Sequence, residues 1–532
     1  MGIPYYFYVI ARSYEGILLK KWKPSTPCDH FFLDFNGLMH PASYGYLSTV
    51  DPQKPPADIE KGILTAIWKE LQDAIALVQP KQTVQVYIDG VAPIAKMVQQ
   101  RKRRYMSIHR KKLLQLPTLW DSNAISPGTT FMSRVHASLK AHIRHAKVPF
   151  EYYLNTSDES GEGEHKLFER LKRLYANPEE IKIIHGMDAD LIMLSLLSHV
   201  SNIYLLREDP KTNEPMYLDV NALRKGILMD LKRHYQWSLS DGIEKDLFSD
   251  NAKEVIETYV ILCMLLGNDF IPHPISLPLK KGGLEKIMET AKDLWNDGLT
   301  LLDMNTHTIH WTFLGKLLEA LSRNENEDVH QVIEEYVKKK AHYETEEDRW
   351  ELYPILPEYK DPLASLLIHK VDFKKWRLFY YKHLFHTRLN DTKVILQSCD
   401  LYLQGILWTY HYYKGFSKED RWFYPYNYSP TLRDLSNYLN SHVQRFETLQ
   451  QHWKERTQPR YFCHPMTQLM CIFPKESVSC VPPKYRSLFD HPSIQHLYPS
   501  QYHLQTFMKT HLWECTPVLP PIDLETIEKI KV

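Results

Sequence analysis

Ser157-Asp158-Glu159-Ser160-Gly161-Glu162-Gly163-Glu164-His165-Lys166 is followed, after a charged segment, by Ile181-Lys182-Ile183-Ile184-His185-Gly186-Met187-Asp188-Ala189-Asp190 and the apolar run Leu191 to Leu197. The β-branched run Ile181 to Ile184, ahead of Gly186, predicts a buried strand. Asp188 and Asp190 then stand at its carboxyl end, the edge of an open α/β sheet where ligands bind. Glu162 and Glu164 form a second pair. Two carboxylates about 4 Å apart repel by about 4 kcal/mol at an effective dielectric near 20, so converging acids need cations or protons. Magnesium prefers hard oxygen ligands, and two ions about 3.5–4 Å apart stabilise both the attacking and the leaving oxygen of a phosphodiester. The alternative for each pair is local: Asp188 as a helix cap, Glu162 and Glu164 as first-turn partners of a helix dipole.

More acids stand in similar places. Phe31-Phe32-Leu33-Asp34 is a short aromatic strand ending in a carboxylate, unless Asp34 is only a turn residue beside Gly37. Val84-Gln85-Val86-Tyr87-Ile88-Asp89-Gly90 repeats the pattern, with Pro93 opening a helix. On that helix Lys96, Gln100, Arg103 and Arg104 share one face. The stripe is either a solvated surface or a phosphate pocket, for which Arg supplies a planar fork and Lys a point charge. Arg110-Lys111-Lys112 extends the positive surface toward a nucleic-acid backbone. Pro127 to Met132 reads as a structural turn before a helix over Ser133 to His145. Val255 to Leu266 reads as an apolar helix, with Asp269 just past its Gly-marked end.

The chain has 532 residues and a formal net charge of +1, with a pI near 7.7, enough for two domains. Charge and composition turn polar near 320–340, and the second half is rich in aromatic runs such as Trp376 to Lys382 and Trp422-Phe423-Tyr424-Pro425-Tyr426. The expected division is 1–320, a charged linker at 321–350, and 351–532. Most of these rings are core, and a few could stack bases. Seven scattered cysteines without a Cys-x-x-Cys point to a reducing compartment and no structural zinc. No signal-peptide pattern, myristoylation site or membrane-length apolar run is present. A soluble intracellular protein is expected, with the cytoplasm favoured over the nucleus and no membrane contact.

Taken together, the start Met1-Gly2-Ile3-Pro4, Asp34 to His40, Asp89 to Pro93 with Lys96-Met97 and Gln99-Gln100-Arg101, Pro127-Gly128-Thr129, Gly161 to Lys166, Gly186 to Leu194 and Gly267-Asn268-Asp269-Phe270-Ile271-Pro272 resemble the Xrn family of 5′-to-3′ exoribonucleases over nearly the whole chain. The resemblance implies an α/β fold with a PIN/flap-nuclease-like, mainly parallel sheet flanked by helices, and a second, aromatic-rich, mainly helical region packed against it. It implies that Asp34, Asp89, Glu162, Glu164, Asp188, Asp190 and Asp269 bind two magnesium ions, with manganese as a substitute. Lys96, Gln100, Arg103 and Arg104 would hold a 5′-monophosphate, while His40 and Trp422 would sandwich the first bases. The substrate implied is single-stranded RNA, degraded processively to nucleoside 5′-monophosphates by a monomer, with decapping factors as partners. Ile94 departs from a position often basic in the family, and Glu419-Asp420-Arg421-Trp422 replaces the usual Ser-Trp-Ser-Trp. A flap-type 5′ nuclease acting on DNA, or an inactive RNA-binding or decay scaffold, are the alternatives.

Overall fold

The computed structural model describes residues 2–22, 27–116, 119–175, 177–209, 212–232, 247–417, 420–456 and 462–530. Its centre is a sheet whose strands are β1 (Leu18–Leu19), β2 (His30–Asp34), β3 (Thr83–Tyr87), β4 (Glu151–Asn155), β5 (Lys182–His185), β6 (Ile203–Glu208) and β7 (Pro215–Asp219). They lie in the order β1-β7-β6-β5-β2-β3-β4. The run β6-β5-β2-β3-β4 is parallel, and β7 and β1 add an antiparallel edge. Phe31, Phe32, Leu33, Ile183 and Ile184 are wholly buried, as expected of parallel strands covered on both faces. The chain moves outward from β2 in one direction through β3 and β4, then returns to the other side with β5. The crevice between the carboxyl ends of β2 and β5 is therefore the topological switch point.

The helices that matter to the site are α1 (Tyr6–Ser13), α2 (Asn36–Leu47), α3 (Pro56–Val78), α4 (Ile94–Leu113), α5 (Thr130–His145), α6 (Gly163–Leu174), α7 (Asp190–Ser198), α8 (Val220–Lys232), α9 (Asp250–Cys263), α10 (Trp311–Ser322), α11 (Glu325–Lys338), α12 (Thr392–Lys414), α13 (Leu432–Glu455) and α14 (Pro465–Ile472). One core packs α2, α3 and α5 against the sheet. The other runs from α1 and α7 on the opposite face without interruption into α9, α10, α12 and α13, so the aromatic region shares a core with the nuclease-like region. Within the stretch expected as a charged linker, α11 is amphipathic and buries Val329, Ile333 and Tyr336. Apart from Glu325, which is buried and accepts from the Leu432 and Arg433 backbone, its charges lie off the buried face of a packed helix. Among the described residues no helix is long and apolar enough to cross a membrane.

One buried group ties the two regions together. Glu257 on α9 is fully buried. Its carboxylate is 2.6 Å from His199 Nε2, accepts from Tyr410 at 2.6 Å and pairs with Lys414 at 2.7 Å. A buried carboxylate persists only when paired and hydrogen-bonded, and two of these partners lie on α12. The register of α12 against α9 is thereby fixed.

Candidate active site

Register brings the strand-end acids level. Asp34 pairs with Tyr87 and Leu33 with His185, so Asp34, Asp89 and Asp188 emerge along one sheet edge. Close backbone approach holds the acidic loop against that edge. A Cβ on Gly90 would lie 1.8 Å from the Glu159 carbonyl oxygen, Gly90 N–H donates to the Gly161 carbonyl at 2.9 Å, and Gly161 N–H donates to the Val91 carbonyl at 2.7 Å. Lys166 Nζ donates to the carbonyls of Ile88 and Glu159 at 2.7 and 3.0 Å, cross-linking the end of β3 to the loop carrying Glu162.

Neither acidic pair caps its helix. Glu162 occupies the N-cap position of α6 without a side-chain cap bond, and α7 likewise begins uncapped. The carboxylates turn inward instead. Asp34, Glu164 and Asp188 offer oxygens within 4.8 Å of one another, and Glu162, Glu164 and His165 form a second such group. Lys96 Nζ lies 2.6 Å from Glu162 and 2.9 Å from Asp269. The backbone N–H of Gly2 donates to Asp269 at 3.2 Å. Gly2 has a φ of +58°, and a Cβ there would meet Asp190 Oδ1 at 2.2 Å. Only glycine fits this approach. All seven expected acids thus belong to one neighbourhood: Glu162, Glu164, Asp190 and Asp34 are buried, while Asp89, Asp188 and Asp269 are half-buried.

Two contacts come from the helical region. Tyr412 donates to Glu162 Oε1 at 2.5 Å and Tyr413 to Asp190 Oδ1 at 2.6 Å. Both tyrosines sit on α12, whose register Glu257 sets. His165 packs on Tyr412, ring centroids 3.9 Å apart. None of these three was singled out from the sequence as a site residue. His165 adjoins Glu164 and was within reach of a metal-ligand search, whereas the tyrosines read as core aromatics.

The electrostatics are those of crowded carboxylates around a single lysine, Lys96. Burial first, then the charges of Asp89 and Asp188, push Asp34 well above the usual carboxylate range. Burial and Asp190 do the same to Glu164, and burial and Asp269 bring Asp190 up to about 7. Asp269 moves the other way, to about 2: burial opposes ionisation, but Lys96 and Arg103 outweigh it. Lys96 is the cation the cluster has recruited from the chain itself. The site also fits a divalent cation. Its donors are hard oxygens, and Glu164 Oε2 is buried with no hydrogen-bond partner among the described residues.

Helix α4 leads from the acids to a basic pocket. Arg104 donates to Ser126 Oγ at 2.6 Å and to the Gln100 carbonyl at 3.2 Å. Ser126, the residue before the turn read as structural, thus helps aim Arg104. Arg104 Nε and Gln100 Oε1 have no partner among the described residues. Burial and then Arg103 lower Arg104 to about 10. Burial, then Arg104 and Arg103, lower His40 to about 4, which places His40 beside the pocket as a neutral ring. Arg103 is exposed, and Arg104, His40 and Gln100 are half-buried. Trp422 is only 6 % exposed and stacks on Trp408, centroids 5.1 Å apart. Ile94 is also core, packed with Met466 and Leu469 of α14, and so lies off the basic face.

Comparison with known proteins agrees with this geometry. Residues 1–209 match the family model described as XRN 5'-3' exonuclease N-terminus, and residues 369–530 match the Xrn1 helical domain. The chain belongs to the Xrn family. It is 26 % identical to 5'-3' exoribonuclease 1 of Homo sapiens, over 98 % of this chain and 33 % of that protein. It is 24 % identical to the 5'-3' exoribonuclease 2 homolog of Drosophila melanogaster, over 100 % of this chain and 71 % of that protein. For 5'-3' exoribonuclease 1 of Schizosaccharomyces pombe the identity is 25 %, over 98 % and 48 %. The chain thus spans a third of the human relative's length. The matched Xrn N-terminal region carries six of the seven acids and all of α4; the matched helical domain carries Tyr412 and Tyr413.

Proposed function

We propose that this chain is a 5′-to-3′ exoribonuclease that degrades 5′-monophosphorylated single-stranded RNA processively to nucleoside 5′-monophosphates, with two magnesium ions, or manganese in their place, held by the seven carboxylates. The observation that carries this reading is the span of α4. One helix face sets Lys96 among the acids and carries the half-buried Gln100 and Arg104 and the exposed Arg103 one to two turns on. The ions would supply Lewis acidity and a water of lowered pKa. Everything else is the work of side chains. Arg103 and Arg104 bind the terminal phosphate, with Arg104 aimed by Ser126. Neutral His40 offers a flat face to the first base. Lys96 and the carboxylates flank the phosphodiester one step further on.

Each cut leaves a new 5′-phosphate, which is again the ligand of the Arg103–Arg104 pocket, so the strand can advance without release. A cap or triphosphate exceeds what a monophosphate pocket accommodates. Decapping factors, whose product is a 5′-monophosphate end, would supply the substrate, and names of the relatives support RNA as the polymer. The test is turnover of matched RNAs bearing 5′-phosphate, 5′-hydroxyl or a cap by wild type and by Arg103→Gln/Arg104→Gln. The expected result is consumption of the 5′-phosphate strand alone, with the double variant losing that preference. Equal turnover of all three ends by wild type would refute the pocket assignment.

A further inference from the structure

Trp513 is 56 % exposed, the highest value among the exposed large hydrophobic side chains described. Its ring lies nearly parallel to that of His511, at 8° with centroids 6.2 Å apart, and tilts against Tyr5 at 6.2 Å. The short turn presenting it is fastened. Glu514 accepts from the backbone of Thr510 and His511 at 2.7 and 3.1 Å and from the Tyr5 hydroxyl at 3.3 Å. Lys339 donates to Thr510 Oγ1 at 2.8 Å. An aromatic side chain held open to solvent by a rigid turn loses little freedom on contact with a ligand.

Charge narrows what that ligand is. Lys280 lies over the Tyr5 ring at 3.4 Å, and Lys339 and Lys509 flank the same turn. Glu514 is the shared carboxylate of all three lysines, and none of the three makes an ion pair among the described residues. Three cations facing one carboxylate leave the patch positive. Its location narrows the ligand further. Tyr5 is three residues from Gly2, whose N–H contacts Asp269, so the two are at most about 11 Å apart along the chain. The patch therefore lies within a few nucleotides' reach of the acidic cluster.

We propose that Trp513, backed by His511 and Tyr5, is a base-stacking subsite for a nucleotide on the 3′ side of the scissile bond, with Lys280, Lys339 and Lys509 holding the adjacent phosphates. The proposal rests on the exoribonuclease reading of the acid cluster. A single strand leaving the cluster presents alternating bases and phosphates, which an aromatic ring between lysines matches without regard to sequence. Retaining the strand here between cuts supplies the grip that stepwise hydrolysis requires.

The test compares wild type, Trp513→Ala, Trp513→Phe and Lys280→Gln on 5′-phosphorylated single-stranded RNAs from a dinucleotide to a dodecanucleotide. Binding is read by fluorescence anisotropy in chelator and turnover in magnesium. For Trp513→Ala the expected result is a loss of roughly tenfold in affinity, and a matching rise in KM, for the dodecanucleotide. The dinucleotide and the melting temperature should stay unchanged, and Trp513→Phe should recover most of the loss. Lys280→Gln should lower the salt sensitivity of long-strand binding. Equal affinity of Trp513→Ala and wild type at every length would overturn the proposal and leave the face to a protein partner. A uniform loss at all lengths with a lower melting temperature would overturn it in favour of a structural role. Absent turnover with length-dependent binding intact would refute the exoribonuclease reading and leave the subsite standing.

Discussion

The sheet edge and helix α12 contribute to one acidic cluster by different physics. On the sheet edge, Asp34, Asp89 and Asp188 follow strands whose parallel register leaves little freedom, and each acid stands within a few residues of the strand that positions it. On α12, Tyr412 and Tyr413 contact Glu162 and Asp190 across 250 and 223 residues of chain, and their positions depend on the buried Glu257 network. The edge supplies three carboxylates, and the helix hydrogen-bonds two others of the cluster, Glu162 and Asp190. Residues that hydrogen-bond a ligating carboxylate commonly tune metal affinity by about 10–100-fold. The difference teaches that an acidic strand edge alone is an incomplete site, finished by a helix from the other matched region.

Several substitutions separate the two contributions. Asp188→Asn removes an edge carboxylate and should lower mononucleotide release roughly a thousandfold, measured as single-turnover cleavage of 5′-phosphorylated RNA, with the circular dichroism spectrum unchanged. Should Asp188→Asn retain more than a tenth of the rate, the edge would not be the reacting centre. Tyr412→Phe and Tyr413→Phe each keep the ring and delete only the hydroxyl. Each should weaken divalent-cation affinity by about 10-fold or more in calorimetric titration. Unchanged affinity would break the claim that α12 orients the ligands.

The anchor can be tested by stability. Glu257→Ala leaves Lys414 buried and uncompensated beside His199, and should cost about 3–5 kcal/mol in denaturant unfolding; a loss within error would show α12 to be held by packing alone. The smallest effect concerns His40. Its folded pKa of about 4 lies below the unfolded value of 6.5, so between these values the unfolded chain binds the extra proton. Stability therefore falls as pH drops from about 6.5 toward 4. His185, His199 and His411 are shifted in the same direction, so His40→Asn should remove only part of this acid sensitivity, seen as a smaller drop in melting temperature between pH 7 and pH 5. An identical drop in both proteins would mean that His40 is as free to protonate as in the unfolded chain.

What could be read in the sequence follows the same division. The strands and their terminal acids were legible because a β-branched run, an Asp and a Gly lie within one short window, and the basic stripe was legible because helical spacing is local. Lys96 was legible as a member of that stripe, but its place between Glu162 and Asp269 was not, since no local pattern reports which end of a helix face enters an acidic cluster. The tyrosines of α12 were hidden among the aromatic residues of a buried helix, where a hydroxyl aimed at a carboxylate carries no periodic signal. The helix at Glu325–Lys338 was hidden for the converse reason: its many charges masked the spacing of Val329, Ile333 and Tyr336. Trp422 lies where sequence context alone could not separate a stacking face from a core ring.

The most direct test of the central claim, a cation-dependent centre at the sheet edge working inward from a phosphorylated 5′ end, is product analysis of a uniformly labelled, 5′-phosphorylated single-stranded RNA incubated with wild type in magnesium and in chelator. The account predicts nucleoside 5′-monophosphates as the labelled product from the earliest time points, and none in chelator. Internal fragments as first products, or equal degradation in chelator, would contradict it.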